Sequence, residues 1–398
     1  MKVALVYDRV NKWGGAERLL VALHALFPDA PLYTSVYNSE KASWAKVFRI
    51  KTSFLQSFPG ASSSHELYPV LMPIAFESFS FDEYDLVISI ASEAAKGIIT
   101  KPGTFHICYC LTPTRYLWSG YSDYFNTSFF RFITKPLVLY LRFWDMVASQ
   151  RPDVYIAISK EVQGRIKKYY GRESEVIYPP VSLGAEVAHE NFLVAHAKKQ
   201  KTKTRDFNPA NSHSENFVDS PRPYVAKCYM LNANNYFLVV SRLVGYKRID
   251  IAINACNTLQ LPLTIIGVGS EEKKLRNIAG STITFLGSLT DEELVRYYKG
   301  CRALIFPGKE DLGLTVLEAQ RFGKPVIAFG SGGALETIVE GKTGEFFPQQ
   351  NTRSLVEVLK KFDENKYGSK ACRENAEKFS YALFKKEFMK CITDRIRI

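Results

Sequence analysis

Short apolar runs, each followed by a segment of helical period, recur along this chain in two separate series, and that alternation most constrains its fold. The first series opens with "KVALVY" (2–7), a glycine pair and an apolar-periodic stretch from Leu19 to Phe27. It continues through "YDLVISIA" (84–91), "FHICYCL" (105–111), "VYIAISKEVQGRIKKYY" (154–170) and "SEVIYPPV" (174–181). The second restarts at "YFLVVSRL" (236–243) and runs through "PLTIIGVG", "ITFLG", "RALIFPG" and "KPVIAFG", with a helical pattern after each. Parallel strands need long crossovers, usually helices, so the pattern predicts an α/β chain with two doubly wound parallel sheets. Ser159 is placed to cap one helix, and Thr290 with Glu293 forms a capping box on another.

Between the series the period is lost. Residues 183–235 carry a basic run (Lys198, Lys199, Lys201, Lys203, Arg205), then Asn, Ser and Pro, and read as an insertion or linker. The expected division is 1–182, the 183–235 linker, 236–380, and a C-terminal helix over 381–398. Seven cysteines without a C-x-x-C pair argue against a disulfide framework or a zinc knuckle. The first apolar run is too short for a signal peptide, and no stretch approaches the roughly 18 apolar residues of a membrane span. A cytoplasmic protein is expected. The formal charge of +12 suits an anionic partner: a nucleotide, a nucleic acid or an acidic membrane face. Recognition-helix, zinc and RNA-sheet motifs are lacking, which disfavours nucleic acid.

Ligands of such sheets bind at the carboxyl ends of strands, beside helix N-termini whose free N–H groups attract anions. "KEDLGLTVLE" (309–318) sits at such a place. Glu310 falls in the loop and Glu318 about one turn inside the following helix. Two readings are open: helix-end carboxylates that cap or complement the dipole, or acceptors for paired sugar hydroxyls with the amides near Gly313 and Leu314 between them. "SRLVGYKRID" (241–250) adds Arg242 at a strand end and Lys247 after a glycine turn, two cations suited to a diphosphate. The glycine turn Gly267–Gly269 is not a dinucleotide fingerprint, because Glu272 stands where its third glycine would fall.

Taken together, "SRL…YKRID", "IIGVGSEEKKLR", "FLGSLTDEEL", "ALIFPGKEDLGLTVLEA" and "GKPVIAFGSGGALETIVEGKTGEFF" resemble the retaining GT-B glycosyltransferases of family 4 (glycosyltransferase group 1). "GGAERL", "HICYCLTPTRYLW" and "VIYPP" resemble its mannosyltransferase-like branch of bacterial surface polysaccharide synthesis. The resemblance implies two Rossmann-like domains facing across a cleft. It implies transfer of a hexose, mannose favoured, from a GDP- or UDP-sugar to a growing, lipid-linked polysaccharide or oligosaccharide, with retention. Arg242 and Lys247 would hold the diphosphate, Glu318 the ribose, and Glu310 the donor sugar. The backbone near Gly313, Leu314 and Thr315 would assist, while Gly14 and Gly15 would let the first domain approach the phosphates. No D-x-D motif is present, and the resemblance implies no cofactor and no metal.

The chain departs from that branch at Leu111, where "CYCLTP" replaces an expected histidine; His106, five residues earlier, is the remaining first-domain candidate for catalysis. Ser182 after "YPPV" replaces a frequent Asp. A non-catalytic sugar-nucleotide-binding subunit and a nucleotide-sugar epimerase are therefore the competing readings. Residues 119–152, dense in aromatics with Arg131, Lys135 and Arg142 interleaved, read either as a buried helix pair or as a face for an anionic membrane. The second option would place the protein on the inner face of the plasma membrane.

Overall fold

The computed structural model describes residues 1–124, 128–181 and 235–396. The 183–235 linker therefore lies, but for Asn235, outside the described residues, as does Ser182. Two all-parallel sheets follow each other along the chain. The first has seven strands: β1 (Val3–Tyr7), β2 (Leu32–Thr34), β3 (Ile50–Thr52), β4 (Leu86–Ala91), β5 (Phe105–Cys110), β6 (Val154–Ala157) and β7 (Glu175–Val176), in the order 3-2-1-4-5-6-7. The second has six: β8 (Phe237–Val240), β9 (Leu263–Ile266), β10 (Ile283–Gly287), β11 (Ala303–Phe306), β12 (Val326–Phe329) and β13 (Gly344–Phe347), in the order 10-9-8-11-12-13. The fold is GT-B: two Rossmann-like doubly wound domains.

The local reasons are visible. Strands β1, β4, β8 and β11 are near-continuous apolar runs because helices cover both sheet faces. Strand β7 holds only two residues of its apolar run, since Pro179 and Pro180 cannot donate to a ladder. The helix Lys160–Tyr170 starts at Ser159, whose hydroxyl accepts from the Val162 N–H (3.1 Å), and ends at Gly171 in the left-handed region. The Thr290–Glu293 capping box is formed in full.

Each sheet reverses its winding once, between β1 and β4 in the first and between β8 and β11 in the second. Such switch points open a crevice at the strands' carboxyl ends. The two domains meet there. The Tyr381–Arg395 helix does not stay with the second sheet: its Phe384, Phe388, Cys391 and Ile392 join the first domain's core, with Phe384 and Phe388 against the Tyr109 ring. No helix among the described residues is long and apolar enough to cross a membrane.

Candidate active site

At the second switch point, β8 delivers Ser241 and Arg242, and a 3-10 turn, Gly245–Lys247, follows. Strand β11 delivers the loop 307–313. Gly308 lets these loops touch, since a Cβ there would stand 3.1 Å from the Lys247 Cα. Arg248, in the left-handed region at φ 52°, connects the turn to the Ile249–Leu259 helix. That conformation costs about 1–2 kcal/mol for a residue with a Cβ, and such strain gathers at functional sites.

Lys247 and Glu310 form a largely buried ion pair. Glu310 is fixed from behind: it bridges to Gly332, and its carbonyl accepts from the Gly333 N–H at 2.9 Å. Arg242 reaches the Tyr246 hydroxyl at 2.6 Å. Gly313, at φ 87°, starts the Leu314–Arg321 helix with no side-chain cap, and Thr315 lies in its first turn. Across the cleft, Gly14 starts the Gly15–Leu26 helix, again without a side-chain cap. The two starts touch: a Cβ on Gly15 would be 2.6 Å from Leu314 Cδ1. Two helix N-termini thus converge on one spot with partial positive charge and unsatisfied N–H groups.

Glu318 lies one turn deeper, only 5% exposed. It accepts from the Tyr298 hydroxyl at 2.7 Å, and its other oxygen faces Arg18 of the first domain at 3.6 Å. Arg18 is held in turn by Asp291 at 2.7 Å. Burial raises the Glu318 carboxyl above its ordinary range, with Arg18 and the Tyr298 hydrogen bond opposing.

The structure thus brings Arg242, Lys247, Glu310, Gly313, Leu314, Thr315, Glu318, Gly14 and Gly15 to one cleft. His106 is not among them. It sits one residue from the amino end of β5, fully buried, with Nε2 2.8 Å from the Ser89 hydroxyl. Four residues of strand, about 13 Å, separate it from the carboxyl end. Desolvation holds its pKa down at about 3, so it is a neutral packed histidine, and its catalytic assignment is withdrawn. Leu111 does lie at that carboxyl end, its N–H bonded to the Ala91 carbonyl (2.8 Å), and packs against the core.

Several residues escaped the sequence reading. Arg18 and Tyr298 flank Glu318. Asp311 binds Arg115 and Arg165 of the first domain, and its carbonyl accepts from the Ser159 hydroxyl at 2.5 Å. Glu336 accepts from the N–H groups of Lys160 (2.8 Å) and Glu161 (3.0 Å). At the carboxyl ends of β1 and β4, Arg9 pairs with Glu93 at 2.6 Å, and the buried His65 lies 3.8 Å from the same carboxylate. Arg18 stands within "GGAERL" and Asp311 within "KEDLG", but partners more than a hundred residues away carry no local period. Among the described residues no group of three or more His, Cys, Asp or Glu is placed to hold a metal ion.

The polar groups of this GT-B frame thus gather at the second switch point, and part of the chain matches a known family. Residues 231–379 match the family described as "Glycosyl transferases group 1". The matched stretch holds the second sheet, with Arg242, Lys247, Glu310 and Glu318 in it. The chain is 30% identical over 164 residues to O-antigen chain mannosyltransferase C of Escherichia coli, covering 39% of this chain and 44% of that one. It thus spans less than half the length of the curated relatives it matches first. Over nearly the full chain it is similar in fold to Anabaena HepE in complex with UDP (TM-score 0.65, 16% identity, 99% of this chain and 100% of that one). It is also similar to sucrose-phosphate synthase of Thermosynechococcus elongatus (TM-score 0.68, 16% identity, 99% of each chain).

Proposed function

We propose that the chain transfers a hexose, mannose favoured, from a nucleotide-diphosphate sugar to a growing, lipid-linked polysaccharide or oligosaccharide, with retention at the anomeric carbon. The observation that carries this reading is the Lys247–Glu310 pair set where two uncapped helix N-termini converge. Lys247, Arg242 and the helix amides meet the diphosphate charge as it leaves. Glu310, released from Lys247, accepts from the donor sugar, and Glu318 accepts from the ribose. The anomeric carbon–phosphate oxygen bond breaks as the acceptor oxygen bonds on the same face, and the acceptor proton passes to the departing phosphate oxygen. The name of the Escherichia coli relative supports mannose, and the UDP in the HepE structure supports a nucleotide-sugar donor.

The lipid side rests on the Ser128–Ala148 helix. Val138, Leu141, Asp145 and Ala148 face inward, whereas Phe129, Phe132, Ile133, Leu139, Tyr140, Phe143 and Val147 form one exposed stripe at helical spacing. Arg131 and Lys135 border that stripe, and with the chain's +12 charge they match an anionic bilayer. The protein then works as a peripheral membrane enzyme on the cytoplasmic leaflet.

The test is a binding and donor-hydrolysis screen with UDP- and GDP-sugars on the wild type and Lys247→Ala. Losing a charge-assisted hydrogen bond worth about 1.5–3 kcal/mol lowers donor use roughly ten- to a hundredfold. Unchanged donor kinetics in the variant overturns the phosphate assignment.

A further inference from the structure

Beside the donor site the cleft widens into a cavity of about 670 Å³ between the domains. Its lining includes six cations: Arg115, Lys160, Arg165 and Lys168 from the first domain, Arg248 and Lys309 from the second. Asp311 pairs with both Arg115 and Arg165. Glu161 pairs with Arg165 (2.8 Å) and Lys309 (3.4 Å), and Asp250 with Arg248 (3.1 Å). Six cations therefore face three carboxylates, an excess of three positive charges. Lys160 and Lys168 have no carboxylate partner among the described residues. The Lys160–Tyr170 helix N-terminus adds little, because Glu336 already accepts from its first N–H groups. Tyr124, Tyr169 and Tyr246 give the wall flat aromatic faces.

The location is informative. Tyr246 precedes Lys247, and Lys309 precedes Glu310, so the cavity shares a wall with the ion pair assigned to the donor. At its other side Ser119, Gly120 and Tyr124 lead into the helix that carries the exposed apolar stripe. The basic cavity therefore adjoins the proposed point of transfer, and part of its lining precedes in sequence the helix of the proposed bilayer face. The donor's diphosphate has its own cations and helix amides, so the excess charge here serves a second anion.

We infer that this cavity binds the phosphate or diphosphate of the acceptor, placing the acceptor's sugar against Tyr246 and Glu310. This rests on the proposed glycosyl transfer but adds a ligand site to it. The shared chemistry is a clustered phosphate dianion, carried either by a lipid or by a soluble phosphorylated sugar. Paired arginines at the inner wall give fixed donors in fork geometry, and unpaired lysines at the rim give mobile charge.

The experiment titrates inorganic pyrophosphate and geranylgeranyl diphosphate, with and without saturating UDP or GDP, into the wild type and into Lys160→Glu/Lys168→Glu. Both lysines are exposed, so the pair can be reversed without emptying the core; a thermal melt checks folding. Expected is one site per chain that persists when nucleotide fills the donor site and weakens roughly tenfold or more in the double variant. Equal affinity for the two probes assigns recognition to the phosphates whatever carries them. Tighter binding of the lipid probe assigns it to a lipid-borne acceptor. Absence of either probe from nucleotide-loaded wild type, or binding undiminished in the folded double variant, overturns the inference. If nucleotide itself fails to bind, the donor reading falls separately, and the nucleotide-free titration still decides the cavity.

Discussion

Glu318→Gln separates a binding role for this carboxylate from a structural one. The variant keeps shape and volume, and a glutamine oxygen still accepts from Tyr298, now at 2.7 Å from Oε2. Arg18 loses one carboxylate at 3.6 Å but keeps Asp291 at 2.7 Å. Burial raises the Glu318 carboxyl in the folded protein above its usual value near 4.5. The sign follows: a raised folded-state value means folding favours the neutral form. The associated stability is fully present below about 4.5 and is lost as pH rises through the folded value. Above that folded value the ionised carboxylate is thus a net cost, and the neutral glutamine leaves the melting temperature unchanged or raises it. Ribose binding moves the other way. Hydroxyl donors to a carboxylate are worth about 1.5–3 kcal/mol, so nucleoside diphosphate affinity falls roughly tenfold to over a hundredfold. Calorimetric titration and a melt on the same sample decide it. Affinity within twofold of wild type in a folded variant refutes the ribose assignment, and a large fall in melting temperature refutes the linkage argument. Wild-type affinity also weakens as acid protonates Glu318, beginning above the ordinary glutamate range.

Two further outcomes rest on the first domain. Asp145 pairs with Lys96 at 2.5 Å, both nearly inaccessible, and accepts from Thr114 (2.8 Å), Trp118 (2.7 Å) and Tyr170 (2.9 Å). Asp145→Ala strands a buried ammonium and costs about 3–5 kcal/mol, measured by urea unfolding; a loss below about 1 kcal/mol contradicts the hub role. Phe132 and Phe143 are 78% and 72% exposed. The double change to serine leaves stability intact and weakens binding to phosphatidylglycerol vesicles at least about tenfold; a wild type that ignores those vesicles at low salt removes the membrane reading.

The architecture was legible because it depends on period. Buried parallel strands are short apolar runs, and their helices are capped by the residues that local chemistry favours, as at Ser159 and Thr290. Strands β2 and β3 went unread, since three residues each, Leu32–Thr34 and Ile50–Thr52, are too short to show any period. The second-domain cluster was legible for a related reason: strand ends and glycine loops fix where Arg242, Lys247, Glu310 and Glu318 emerge. The first-domain contribution was not. Arg18 reaches Glu318 across 300 residues of chain, and Asp311 finds Arg115 and Arg165 only when two separately folded sheets meet. The basic cavity has the same origin, with four cations from one domain and two from the other.

Leu111 then sharpens the chemistry asked of the first domain. At the carboxyl end of β5 it offers no proton-handling group, and His106 is too far down the strand to substitute. What the structure places along that edge is the Arg9–Glu93 pair, with His65 beside it. His65 is buried; desolvation, reinforced by Arg9, pushes its pKa down to about 4, so it is neutral at pH 7. Neither of its ring nitrogens makes a hydrogen bond, Nδ1 lying 3.3 Å from Glu66 without the geometry for one. A neutral imidazole shielded by a salt bridge can orient a hydroxyl but does not supply charge to the leaving group. That division suits the proposed front-face transfer, in which the departing phosphate oxygen takes the acceptor proton and Arg242 and Lys247 would stabilise it. In such a site, a histidine at position 111 is one means of positioning the acceptor, and a phosphate gripped in the neighbouring basic cavity is another.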